Sequence, residues 1–238
     1  MHHILTHRIE CWLPDRGANQ PAAFNAEWLR FSVCSHLKNW KKEFEGEKAD
    51  AGLFHNHAPG KNDPEIRYPL IIYHCIGNTF YITGINAGAT ALDKLAGLFN
   101  SGCFINGGYL LRFAVHHDEQ VSLDVGPGLH RYRLRQWLPV TPKENQRFAA
   151  MPLTQKAAFM EQKLNMHITA DLGKYLETEM QGLKATLDGI SFVYPEPVLF
   201  KTHRFRAFDV EFSANVALPA FIALGNIKSL GYGRVESI

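Results

Sequence analysis

The spacing of apolar residues changes several times along the chain, and each change predicts an element. Residues 3–13 (HILTHRIECWL) read as a strand, and residues 14–21, bounded by Pro14 and Pro21, as a loop. From Asn25 to Phe44, Leu29, Val33, Leu37, Trp40 and Phe44 recur at spacings of three and four, the stripe of an amphipathic helix. Residues 45–64 are polar and rich in Gly, Pro and Asp, which predicts a long loop. Tyr68–Ile76 and Thr79–Ile85 read as strands joined by Gly77-Asn78, a pair suited to a tight hairpin turn. Thr90–Phe99 is helical, with Leu92, Leu95 and Phe99 on one side and Gly102 as a stop, and Gly108–His116 is a further strand. The order β-α-β-β-α-β is that of the ferredoxin-like unit.

The second half repeats this order more loosely. Val121–Val125 and Leu129–Val140 read as strands. Thr154–Leu187 reads as a helix, carrying Met160, Leu164, Ile168 and Leu172, then Leu176, Met180, Leu183 and Leu187. Residues 190–200 and 204–216 read as strands, Leu218–Leu224 as a short helix or turn, and Tyr232–Ile238 as a last strand. The expected class is α+β: two tandem ferredoxin-like (βαββαβ, RRM-like) domains, residues 1–126 and 127–238, the second ending in a glycine-rich loop.

Composition narrows the function classes. With 238 residues, 46% of them hydrophobic, the chain can bury a core, which excludes disorder. No run approaches the roughly 20 apolar residues of a spanning helix, and Met1-His2-His3 opens a strand rather than a signal peptide, so no membrane partner is expected. Twenty-five Lys and Arg against 23 Asp and Glu leave +2, too little for a strongly basic, non-specific nucleic-acid binder. Cys11, Cys34, Cys75 and Cys103 form no C-x-x-C pair, which argues against structural zinc and for reduced thiols in a cytoplasmic protein.

The most informative segment is the C-terminal run LPAFIALG…KSLGYGRV. Gly225, Gly231 and Gly233 are interleaved with Lys228, Ser229 and Arg234. Glycines let backbone N–H groups approach an anion, yet the run is neither a Walker loop nor a dinucleotide fingerprint. It resembles the glycine-rich signature of the CRISPR-associated RAMP superfamily, and most closely its repeat-processing endoribonucleases, the Cas6 family. Phe54-His55-Asn56-His57 followed by Arg67-Tyr68-Pro69-Leu70-Ile71-Ile72-Tyr73, and Thr83-Gly84-Ile85-Asn86-Ala87-Gly88, are similar to that family's first-domain pattern. The loop departs from the pattern at Ala223, where a glycine is common, and at Asn226-Ile227, where Lys or Gly is usual.

The resemblance implies two ferredoxin-like domains and an endoribonuclease that cuts precursor CRISPR RNA within its repeats. It implies 2′-OH attack leaving 2′,3′-cyclic phosphate and 5′-OH ends, with no metal or organic cofactor. CRISPR repeat RNA is the expected partner, with other Cas proteins and a homodimer as further partners. Such chemistry needs a base for the 2′-OH, an acid for the leaving oxygen, and a donor for the phosphorane charge. Histidine suits both proton roles. His55 and His57, two apart in the expected loop, would share one side of an extended segment. They are the candidate acid and base, with Tyr68 or Lys61 supporting. His36, in the first helix, is the competing candidate. The string His-Asn-His is not read as an HNH metal nuclease, because its flanks lead into a hairpin.

Two basic clusters complete the picture. Arg131, Arg133 and Arg135 alternate along a strand, so they share one face about 6.6–7 Å apart. Lys201, His203, Arg204 and Arg206 form the second cluster. Together with the glycine-rich loop they outline a track for RNA backbone. The alternative reading is a non-catalytic RAMP subunit that binds crRNA in an effector complex, keeping the loop and arginines without needing the histidine pair. A second rival is a ferredoxin-like domain that binds a small anion or another protein.

Overall fold

The computed structural model describes residues 2–12, 25–39, 48–55, 68–77, 79–98, 103–105 and 109–238. These divide into two compact units: Leu5–Gln120 with Ser229–Gly231, and Met1–Ile4 with Val121–Lys228 and Tyr232–Ile238.

The unit containing Leu5–Gln120 runs β1 (His3–Trp12), α1 (Ala26–Asn39), α2 (Lys48–His55), β2 (Ile71–Ile76), β3 (Thr79–Ile85), α3 (Ala87–Leu98), β4 (Cys103–Ile105) and β5 (Tyr109–Ser122). Its sheet has the order β2-β3-β1-β5-β4, the ferredoxin-like arrangement with one extra edge strand. The helical stripe read from the sequence is the buried one: Leu29, Val33 and Leu37 of α1 are in the core. Gly77, at φ +58, turns β2 into β3.

The Thr83–Gly88 motif proves to be a joint between strand and helix. Asn86 donates its N–H to Leu5 O (2.8 Å) and accepts the Leu5 N–H through Oδ1 (3.0 Å), lashing the start of α3 to β1. A Cβ on Gly88 would stand 2.1 Å from Leu70 O, so only glycine allows the chain to pass there.

Two expectations fail along this part of the chain. Residues 48–55, read as part of a loop, form the helix α2, which buries Leu53 and Phe54. The last strand runs on to Ser122, so residues 121–125 make no separate strand.

The other unit runs β6 (His130–Trp137), α4 (Asn145–Ala150), α5 (Leu153–Leu176), β7 (Ala185–Val193), β8 (Val198–Phe200), β9 (His203–Phe205), β10 (Phe208–Ala214) and β11 (Arg234–Ser237). Its sheet has the order β11-β6-β10-β7, again ferredoxin-like, and β8 and β9 form a separate hairpin. Met160, Leu164, Ile168 and Leu172 of α5 are fully buried. The helix stops well short of Leu187, because Glu177 turns left-handed (φ +54), and residues from Ala185 join the sheet.

The ferredoxin-like order calls for a second helix between the third and fourth strands. Residues 215–233 hold only a 3-10 turn, Lys228–Leu230. This connection is pinned by Tyr132, whose hydroxyl donates to Val216 O (3.3 Å) and accepts the Leu218 N–H (2.8 Å). Val216, Leu218, Ile222, Ala223 and Leu224 bury their side chains along it.

Candidate RNA-binding and catalytic residues

Strand β6 alternates buried Tyr132 and Leu134 with Arg131, Arg133 and Arg135 on the opposite face. Gln136 adopts φ +50, a one-residue bulge that returns Trp137 to the core side. The three arginines do share a face, as the period predicts, but they share it with carboxylates. Arg133 donates to Glu211 Oε1 (2.5 Å), and Arg135 donates to Asp209 Oδ2 and to Glu236 Oε2 (2.8 Å each). Arg234 donates to Glu236 as well and lies over the Phe221 ring. The bonds to Asp209 and Glu236 hold the Arg135 guanidinium above its ordinary pKa, and Arg133 pulls Glu211 below the usual carboxylate range. Four arginines against three carboxylates leave one positive charge in excess. Arg131 stands apart: it is 61% exposed, and its guanidinium is 3.9 Å from Glu211. It is therefore the arginine of this row best placed to meet a phosphate.

The glycine-rich loop is anchored from α5. Asp171, buried on that helix, accepts the Gly225 N–H (2.8 Å) and the ammonium of Lys228. Lys228 is thus an internal tie rather than a projecting cation. Burial lowers its pKa, against the opposing pull of Asp171. One turn earlier on α5, His167 accepts the Trp137 indole N–H on Nδ1 (3.1 Å). Burial, aided by Lys228 and Lys163 and opposed by Asp171, lowers the His167 pKa to about 4. The ring is neutral at pH 7, as an Nδ1 acceptor requires. Gly225 passes directly over this pair at φ +95, where a Cβ would come within 2.8 Å of His167 Nδ1. Farther on, Gly233 donates to Arg135 O and accepts from the Leu224 N–H (2.9 Å each). Ala223, the departure from the resembled pattern, forms a β-bridge with Arg234, an extended pairing open to any residue. Ser229 and Gly231 belong to the unit with Leu5–Gln120.

The second basic cluster is carried by the β8–β9 hairpin. Lys201 takes the turn at φ +54, and Lys201, His203, Arg204 and Arg206 are all exposed.

Of the candidate catalytic residues, His55 ends α2 and is half-buried. The helix end is capped from its neighbours: Arg30 Nη2 donates to His55 O (2.9 Å), and Cys34 Sγ and the Tyr73 hydroxyl donate to Phe54 O (3.2 Å each). His55 itself is helical, where the sequence reading placed it in an extended segment. Tyr68 is half-buried just before β2, and His36 lies within α1. His57 and Lys61 lie outside the described residues.

Asp171, His167 and the three carboxylates of the arginine face escape a reading of the sequence by motif. The carboxylates did leave a signal. Asp209 and Glu211 alternate on one strand as the arginines do on another, and opposite charges at period two suit a cross-strand ladder. His167 left none, since it sits between the positions of the apolar stripe, whereas Asp171, three residues after Ile168 and four before Tyr175, is a charge placed on the buried stripe itself.

Comparison with known families settles the lineage. The Cas6b N-terminal domain model matches residues 33–106, and the Cas6b C-terminal domain model matches residues 125–238. The chain belongs to the Cas6b family. No curated protein matches it by sequence. Among solved structures, a Cas6b is similar over 99% of this chain and 100% of its own, with TM-score 0.72 and 19% identity. A CRISPR RNA processing endoribonuclease Cas6b covers 98% of this chain and 100% of its own, with TM-score 0.58 and 18% identity. Csf5, a type IV Cas6 crRNA endonuclease, covers 98% and 99%, with TM-score 0.53 and 14% identity. What is shared at these identities is the tandem ferredoxin-like fold. No helix among the described residues is long and apolar enough to cross a membrane.

Proposed function

We propose that the chain is an endoribonuclease that cuts CRISPR repeat RNA without a metal ion. The observation carrying this reading is the Cas6b match over both halves of a tandem ferredoxin-like chain, with a structural relative named as a CRISPR RNA processing endoribonuclease. The reaction is attack of a 2′-OH on the adjacent phosphate, leaving a 2′,3′-cyclic phosphate and a 5′-OH. His55 and His57 serve as the acid–base pair, Tyr68 or, as runner-up, Lys61 supports them, and His36 is the competing catalytic candidate. The RNA backbone lies along Arg131 and the basic hairpin at Lys201, Arg204 and Arg206, beside the loop of Gly225, Gly231 and Gly233.

The test is incubation with labelled repeat RNA in EDTA, beside the same RNA carrying one 2′-deoxy nucleotide at the cut. A single cut in the all-RNA substrate alone, ending in a cyclic phosphate, is the expected result. The double variant H55A/H57A is expected to lose roughly 10²–10⁴-fold in cleavage rate, the scale of general acid–base catalysis, while still binding RNA. Unchanged cutting by that variant removes the histidine assignment. Tight binding without cutting by the parent would turn the reading to the RNA-binding RAMP subunit.

A further inference from the structure

The β8–β9 hairpin has no strand neighbour in the four-stranded sheet. A two-stranded hairpin is marginal by itself, so something other than strand pairing must hold this one in place. Val198 and Phe205 are cross-strand partners, and both belong to a small apolar cluster at the hairpin base. Leu138, Phe205 and Ala207 form its buried centre, with Tyr194, Val198, Phe200, Ile227 and Tyr232 packed against it. Ile227 and Tyr232 come from the glycine-rich connection. One further tie, Asn145 Nδ2 donating to Arg204 O (3.0 Å), also reaches the hairpin.

Ile227 is the unusual member. It is β-branched and adopts φ +55, a conformation such residues rarely take. Strain of this kind persists only where the surroundings over-determine it. Here they do: Gly225 and Lys228 are bonded to Asp171, and Asn226 Nδ2 donates to Leu138 O (2.8 Å). With its neighbours fixed on both sides, Ile227 is forced to project into the cluster beneath the hairpin.

We propose that Ile227 is a positioning residue that couples the glycine-rich loop to the basic hairpin, so that Lys201, Arg204 and Arg206 are held in register with the loop. The consequence for RNA rests on the endoribonuclease reading; the consequence for the hairpin does not.

The variant I227G removes the side chain and, in the same step, relieves the backbone strain, so global unfolding is not its expected effect. Limited trypsin digestion, with fragments identified by mass, reads the hairpin through cleavage after Lys201, Arg204 and Arg206. These sites are expected to be cut about tenfold faster in I227G than in the parent, while the thermal midpoint changes little. Equal cleavage rates would overturn the coupling, whatever happens to RNA. If I227G melts too early for the assay, native-state amide exchange of I227A and I227V replaces it. Exchange across residues 199–205, relative to β6, should rise in I227A and stay near the parent in I227V; a rise in neither overturns the proposal.

The second arm measures repeat-RNA cleavage under single turnover. A loosened hairpin should raise the half-saturating protein concentration about tenfold and leave the maximal rate nearly unchanged. Faster trypsin cutting with unchanged half-saturation would leave the coupling standing and remove the hairpin from RNA binding.

Discussion

His167 carries a pH dependence of stability. Its pKa is lowered from 6.5 to about 4 in the folded protein, chiefly by burial. Between those values the unfolded chain binds a proton that the folded chain does not, so stability falls as pH drops from about 6.5 and levels off below about 4. H167Q keeps an acceptor for Trp137 and cannot titrate. Urea midpoints measured from pH 7 to 4 should fall less steeply in H167Q than in the parent. Equal slopes would assign the acid sensitivity to other groups. The arginine row divides at the same scale. Arg133 is tied to Glu211, whereas Arg131 is mostly exposed. If RNA lies on this face, R131A should reduce the magnitude of the log–log salt slope of RNA binding by about 0.7, the value of one single-strand phosphate contact. R133A should instead lower stability. A slope unchanged in R131A would take that arginine off the RNA path.

At the scale of elements, the joint between β3 and α3 makes an opposed pair of effects measurable. Gly88→Ala should gain about 1 kcal/mol or less in helix propensity. Against this stands a Cβ 2.1 Å from Leu70 O, a backbone atom that cannot swing aside. Overpacking of this kind costs about 1–3 kcal/mol, so the clash wins and the urea midpoint should fall. A midpoint at or above the parent's would mean that the loop before β2 yields freely. The same joint shows why some elements could be read and others could not. The stripes Leu29–Val33–Leu37 and Met160–Leu164–Ile168–Leu172 repeat long enough to fix both major helices. Helix α2 has eight residues and one buried Leu-Phe pair, and its end is secured by Arg30, Cys34 and Tyr73 from elsewhere in the fold. So short a helix owes its stability to tertiary packing, which leaves little periodicity to detect. The overrun of α5 is the reverse case, because Met180, Leu183 and Leu187 continue its spacing while the backbone turns at Glu177.

For the molecule as a whole, the tandem fold was legible because element order survives even where boundaries slip. The candidate site was legible in its residue types and much less in its electrostatics. Arg131, Arg133 and Arg135 were visible as a row. That the row is largely neutralised depends on pairing with Asp209 and Glu211, which stand more than seventy residues away. Lys228 illustrates the same limit, since in sequence it reads as a phosphate contact and in the structure it faces Asp171.

The connection between β10 and β11 has a consequence for how this protein can change. Residues 215–233 stand where a second helix would close the fold, and six of their apolar side chains are buried. The glycine-rich segment proposed to lie beside the RNA is continuous with part of the hydrophobic interior. Exchanging it for another loop would therefore trade solubility and folding yield against recognition. Variants with altered RNA preference should be easier to obtain at the hairpin tip, whose exposed residues owe little to the core, than in the loop beside it.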